Sequence, residues 1–229
     1  CIEALVRLGA RVDTLVDGEG WDLARVAAWK QDYDLLKWLC EKAPGLIHNT
    51  DNKGWTLAGI AVSIRNFDLL KWLLEKAPGL IHSVNNEGWT LASIAAFSAI
   101  DFDILQWLLE KDSSLIHREG ASLTCMAIER GDARVLRLLL EKDPSLIDGK
   151  GDLPARIAFE KGHLSLFGLF LEKEPNLIRS VDSKGRTLAH LAAEEQIYHC
   201  RKLEWLLDKE PSLIHSVDDE GKTLIDMAF

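Results

Sequence analysis

Gly54-Trp55-Thr56-Leu57-Ala58-Gly59-Ile60-Ala61, residues 54–61, is the stretch whose reading decides the fold. Its glycine follows the turn chemistry of Asn52-Lys53 and is suited to positive φ. Thr56 has the chemistry of a helix N-cap, with a hydroxyl able to accept from an orphan N–H. Leu57, Ile60 and Ala61 then fall at helical spacing. The same phrase opens at Gly20, Gly54, Gly88, Gly120, Gly151, Gly185 and Gly221, at intervals of 31 to 36 residues. An alanine closes it each time, at Ala27, Ala61, Ala95, Ala127, Ala158, Ala192 and Ala228. Self-similarity at this period specifies a stacked solenoid of one supersecondary unit, not a globule around one pocket. It points to binding rather than chemistry.

Outward from the phrase, a first helix is expected to run to about Ile64 and a second to cover Phe67 to Lys76, joined tightly at Arg65-Asn66. Sister units place Gly131 and Gly162 at the Arg65 position, as a left-handed helix end requires. The Thr56 slot holds Asp22, Thr90, Ser122, Thr187 and Thr223, with Leu153 as the exception; Pro154 beside it suits a first helical turn. The alanines allow short helices to approach closely. Trp38, Trp72, Trp107 and Trp205 sit in the Leu-rich second helices and are expected in the core. Cys40 occupies a slot filled by Leu74, Leu109 and Leu140, so it reads as a small core residue. Residues 34–48 and 68–82 differ only at Cys40 and Leu74, which indicates duplication.

The resulting organisation is an all-α helix-turn-helix array with repeats at 17–50, 51–84, 85–118, 119–148, 149–181 and 182–217, and partial units at 1–16 and 218–229. One extra residue falls near Ser98–Ile100 and two near Gln196–Cys200, while the hairpins before Gly120 and Gly151 are short. A changed stacking angle is expected near residues 118–151. Both chain ends fall inside a unit, and solenoids need polar end caps, so a fragment of a longer protein is expected.

Composition limits the classes of function. Hydrophobic content of 47% supports a continuous core. The net charge of −9, with no Lys/Arg block, argues against nucleic-acid binding and favours solubility or a basic partner. No apolar run reaches membrane-spanning length and no signal peptide is visible. Cys1, Cys40, Cys125 and Cys200 lie far apart, which suits a reducing cytosol better than a disulfide framework.

Thr187-Leu188-Ala189-His190-Leu191-Ala192-Ala193 resembles the T-P-L-H-L-A-A signature of ankyrin repeats. Gly162-His163-Leu164 and Gly131-Asp132-Ala133, each leading into a Leu-rich helix, resemble the family's G-H-L-E-V-V-K-L-L-L segment. Gly9-Ala10-Arg11-Val12-Asp13 resembles its G-A-D-V-N hairpin entry. The resemblance covers essentially the whole chain. Most units depart from it by lacking Pro after the N-cap, and the hairpin entry becomes a longer Pro-x-Leu-Ile-His version, as at Pro44–His48. That variant is similar to divergent arrays in ankyrin-bearing effectors of host-associated bacteria, which implies a cytoplasmic address, in the host cytosol for a secreted effector.

The resemblance implies protein partners bound on a concave face built from hairpin tips and first helices, by an array expected to be monomeric. On that face fall the residue after each phrase glycine and the pair ending each first helix. The first three units place Trp21, Trp29, Trp55, Trp89 and Phe97 there; later units place Glu129, Arg130, Glu160, Lys161, Arg186 and Glu194. Clustered aromatics have the composition of binding hot spots, so they are expected to supply affinity, with the charges tuning specificity and on-rate. The competing reading has each Trp brace a neighbouring hairpin. A further alternative is a substrate-recruiting or spacer array joined to a catalytic domain elsewhere in the parent protein.

No catalytic constellation emerges. His48, His82, His117 and His215 recur once per unit, too far apart for one metal site, and read as solvated turn residues. His190, Glu194 and His199 lack convincing further ligands, and by the family resemblance His190 braces neighbouring turns. His199-Cys200 lacks an orienting third group. Phosphate loops and dinucleotide fingerprints are missing. No cofactor, no metal and no enzymatic activity are expected of these residues.

Overall fold

A computed structural model of the chain describes residues 15–97, 102–146, 153–194 and 200–228. The chain divides into two compact units, residues 1–115 and 116–229. In the first unit, α1 (Leu23–Trp29), α3 (Leu57–Ser63) and α5 (Leu91–Phe97) are the short first helices, each followed by a ten-residue partner: α2 (Tyr33–Lys42), α4 (Phe67–Lys76) and α6 (Phe102–Lys111). The Pro-x-Leu-Ile-His segments form 3-10 turns at Pro44–His48 and Pro78–His82. The second unit holds most of α7 (Ser114–Arg130), then α8 (Ala133–Lys142), α9 (Leu153–Glu160), α10 (Leu164–Lys173), α11 (Leu188–Glu194), α12 (Cys200–Lys209) and α13 (Leu224–Ala228).

Local chemistry explains these boundaries. Asp22, Thr56 and Asn66 each accept from the backbone N–H three residues on, which starts α1, α3 and α4. Asn66 also donates to the Tyr33 hydroxyl of the preceding repeat. The first helices end in a left-handed residue at Gln31, Arg65, Gly131 and Gly162. Helix α1 packs on α3, and α3 on α5. Close approach is possible because Ala24, Ala58, Ala61 and Ala92 are buried side chains of minimal size. Leu36, Leu39, Leu70, Leu73, Leu105 and Leu108 line the second helices' side of the core, and Cys40 is buried beside them as expected.

The hairpin tips form a ladder. Asp51 Oδ1 accepts from the N–H groups of Lys53 (2.9 Å) and Trp55 (2.8 Å), closing an Asx turn. One tip bonds the next: Asn52 N–H donates to Glu19 O (3.1 Å) and Asn86 N–H to Lys53 O (2.9 Å). Gly54 is glycine for two reasons. Its φ is +79°, and a Cβ there would stand 2.6 Å from Asn86 Oδ1. Among the described residues, extended pairing is confined to isolated antiparallel bridges such as Val84–Thr90 and Val181–Thr187.

Two expectations need correction. Gly120 does not open a turn, and Ser122 does not cap a helix: both lie inside the 17-residue helix α7. In the third repeat Ser83, Val84 and Asn85 follow His82 and build the bridge and the Asx turn, whereas after His117 only Arg118 and Glu119 precede Gly120. With no Asx acceptor to nucleate the turn, the helix continues. Gly120 is buried, and a Cβ on it would stand 2.7 Å from Leu146 Cδ2, so it is packing that favours glycine there. The other correction concerns Trp38, Trp72, Trp107 and Trp205, which are half-buried rather than core. Trp107 and Trp205 meet Phe67 and Phe167 of the preceding repeats with centroids 5.4 and 5.7 Å apart, and Lys111 and Lys209, one turn on, extend over the same two indoles. The opening Gly9–Asp13 segment, Gly151-Asp152 and the segments around Ser98–Ile100 and Gln196–His199 lie outside the described residues.

Candidate partner-binding site

Three slots of the phrase converge at the hairpin tips of the first three repeats: the residue three before the glycine, the residue just after it, and the residue nine after it. In the first repeat these are Asp17, Trp21 and Trp29; in the second Asp51, Trp55 and Ser63; in the third Asn85, Trp89 and Phe97. Trp21 and Trp29 meet edge to face with centroids 5.9 Å apart, and Trp89 and Phe97 do the same at 5.1 Å. Trp29 and Phe97 nevertheless remain 56% and 53% exposed, unusual for aromatic rings already paired within their own repeat.

The second repeat breaks the pattern. Ser63 stands where its sisters carry a ring, and its hydroxyl turns back to donate to Ile60 O (2.8 Å). Gly59 supplies a second gap. A Cβ there would lie 3.0 Å from Trp55 Cε3, so the missing side chain lets the indole settle onto α3. The space left is a cleft of about 410 Å³ that brings together Trp21, Trp29 and Trp55 with Glu19, Asp51 and Lys53. Three of the aromatics singled out in the sequence thus share one cavity, while Trp89 and Phe97 form a separate pair.

The charged residues of the second unit are placed differently. Lys161 pairs with Glu129 (2.7 Å), Arg156 with Glu160 (3.4 Å), and Arg186 with both Asp182 (2.9 Å) and Glu194 (3.0 Å). Glu129, Arg130, Glu160, Lys161 and Glu194 are exposed, and Arg186 is partly buried beneath its two carboxylates. Burial raises the Asp182 pKa, but N–H bonds from Arg186 and Lys184 and the Arg186 guanidinium outweigh it and hold the carboxyl below its ordinary value.

Sequence reading missed Arg25. It is fully buried, pairs with Asp22 at 2.6 Å and donates to Trp55 O at 3.2 Å, so it ties the first repeat to the tip that carries the cleft. In the sixth repeat His190 holds the same slot. Its Nδ1 lies 2.9 Å from the Thr187 hydroxyl and its Nε2 3.3 Å from Lys222 O, the bracing the family signature implies. The joint change of Thr to Asp at the cap and His to Arg three residues on was the available signal. Among the described residues no group of three His, Cys, Asp or Glu side chains is placed to hold a metal ion. His48, His82, His117 and His215 are exposed.

These features define a helix-turn-helix repeat array with a surface cleft at its hairpin tips. A profile described as ankyrin repeats (3 copies) matches residues 23–119, and those residues are ankyrin repeats. The fold of the chain is likewise that of ankyrin-repeat solenoids. It is similar to the ankyrin repeat domain of Bcl-3, described as a unique member of the IkappaB protein family, with 16% identity, 92% of this chain and 95% of that one covered, and a TM-score of 0.69. It is also similar to the human ASB11 ankyrin repeat domain, with 19% identity, coverage of 91% and 92%, and a TM-score of 0.64. A search of curated proteins gave no match. Among the described residues no helix is long and apolar enough to cross a membrane.

Proposed function

We propose that this chain is a protein-binding module whose principal contact surface is the aromatic face of its first unit, centred on Trp21, Trp29 and Trp55 and extended by Trp89 and Phe97. Ankyrin-repeat domains are in general protein-interaction modules. The observation that carries the particular site is the cleft lined by three indoles, two on the tips of the first two hairpins and one at the end of α1. The Asx turns and tip-to-tip bonds hold its walls before any partner arrives, which lowers the entropic cost of association. Glu129, Arg130, Glu160, Lys161, Arg186 and Glu194 have the secondary role of steering approach and tuning specificity.

The test compares the native chain with a Trp21→Ala/Trp55→Ala/Trp89→Ala variant in capture from lysate, after circular dichroism and urea unfolding of both. Proteins held by the native chain are expected to be lost from the variant while its fold persists, since truncating one hot-spot aromatic removes about 2 kcal/mol of binding. A folded variant that captures the same proteins equally well overturns this site. An unfolded variant would show that the indoles brace the stack, the reading that the seat of Trp55 on Gly59 also allows.

A further inference from the structure

In the first, third and sixth repeats the same three slots are filled in one of two ways. Where an aromatic follows the glycine in the first and third repeats, a second aromatic completes an edge-to-face pair. In the sixth repeat the residue after the glycine is Arg186, and its guanidinium joins the slot carboxylates Asp182 and Glu194. In the next tip Lys222 takes that place, and its ammonium pairs with Glu220 at 2.8 Å. The second repeat has half of each arrangement. Ser63 stands in the slot where a ring would face Trp55, and Asp51 has Trp55, not a cation, in the position Arg186 occupies beside Asp182. Asp51 Oδ1 closes the turn, and among the described residues no donor reaches its second oxygen.

Asp51 does not owe its charge to the turn. Asn85 makes the identical turn in the third repeat, accepting from Glu87 N–H at 3.0 Å and Trp89 N–H at 2.8 Å. A carboxylate that is only 9% exposed and lines an indole-walled cleft therefore has charge beyond its structural task. A planar cation that stacks on an indole and forms paired bonds to a carboxylate satisfies both half-finished arrangements together, and guanidinium is the protein group with those properties. The other charges on the cleft are Glu19 and Lys53, and the chain as a whole carries −9, which steers a basic segment toward it.

We propose that the cleft between the first two hairpin tips seats an arginine side chain presented by a partner protein, its guanidinium stacked among Trp21, Trp29 and Trp55 and paired with Asp51. This rests on the aromatic face being the partner-binding surface and names what that surface recognises.

The experiment is an NMR titration of the isotopically labelled chain, reading tryptophan indole N–H signals against an acetylated Gly-Gly-Arg-Gly-Gly amide. The same pentapeptide with citrulline, a neutral isostere, or with lysine replaces it in parallel. The arginine peptide is expected to shift the Trp21, Trp29 and Trp55 signals saturably, with a roughly millimolar Kd for so small a ligand. Citrulline and lysine are expected to bind at least about tenfold more weakly, as is the arginine peptide to Asp51→Asn, a residue type that closes the same turn at Asn85. Ser63→Phe, which rebuilds the Trp89–Phe97 arrangement inside the cleft, is expected to abolish the response while the other indole signals stay in place. Silence of the three indoles, equal binding of citrulline or lysine, or unchanged affinity in Asp51→Asn overturns the proposal. If Asp51→Asn leaves partner capture intact while the triple tryptophan variant loses it, the arginine assignment fails and the aromatic face stands. Folded triple variants that still capture the partner remove that face itself.

Discussion

Asp22 and Arg25 show how a single side chain can fasten one repeat to the next. Arg25 has no exposed surface, its guanidinium binds Asp22 and Trp55 O, and Asn49 adds a donor to Asp22 at 3.2 Å. Removing one partner of a buried pair leaves an uncompensated charge, so Arg25→Ala should destabilise the first unit by about 3–5 kcal/mol. Thr187 and His190 solve the same problem with a hydroxyl and an imidazole. The double change Asp22→Thr/Arg25→His imports that solution and should recover most of the loss, within about 1 kcal/mol of the native chain. Urea unfolding followed by tryptophan fluorescence measures both. An Arg25→Ala variant as stable as the native chain, or a double variant no better than Arg25→Ala, would show that the pair is not what joins these repeats.

At the scale of elements, helix α7 stands where the repeat period demands a hairpin. Its sequence keeps the glycine and the closing Ala127, yet lacks the residues that nucleate the turn between His82 and Gly88. Inserting Ser-Val-Asn between His117 and Arg118 recreates the order found at Ser83–Asn85 and should convert the middle of α7 into a turn. Backbone chemical shifts report it: the glycine at 120 should move to the positive-φ range of Gly54 and Gly88, and shifts that stay helical would refute the account. The contrast marks what the sequence makes legible. Phe67–Lys76 was readable to the residue, because caps, leucine spacing and the left-handed Arg65 agree there. The aromatic face was readable as a list of positions. The cleft was not, because it arises from what Gly59 and Ser63 lack, and an absent side chain has no signal until neighbouring rings are placed around it. The break at Gly120 was obscured because the phrase persists after its turn chemistry has gone.

At the scale of the whole molecule, the two units are expected to respond differently to pH. In the first, tips are joined by backbone and Asn amide groups, such as Asn52 Nδ2 to Gly18 O and Asn86 Nδ2 to Asn52 O, beside the enclosed Asp22–Arg25 pair. In the second, carboxylates do more of the joining, through Glu129–Lys161, Arg156–Asp182 and Arg179–Glu210. The carboxyls held below their ordinary values all lie there. A bond from the Ser145 hydroxyl lowers Asp143, the Ser212 hydroxyl and then Arg179 lower Glu210, and the Thr223 backbone N–H lowers Asp226; Asp182 is lowered against its burial. A carboxyl whose folded pKa is depressed stabilises above its unfolded pKa and loses that contribution as pH falls through the folded value. The second unit should therefore weaken first as pH falls below the ordinary carboxyl values of 3.8 and 4.5. Trp205 is the tryptophan of that unit, and Trp21, Trp29, Trp38, Trp55, Trp72, Trp89 and Trp107 belong to the first, so indole NMR signals separate the two. In an acid titration the Trp205 signal should collapse at a higher pH than the other seven. Simultaneous collapse, or earlier loss of the first-unit signals, would show that these carboxylates do not set the acid limit of their own unit.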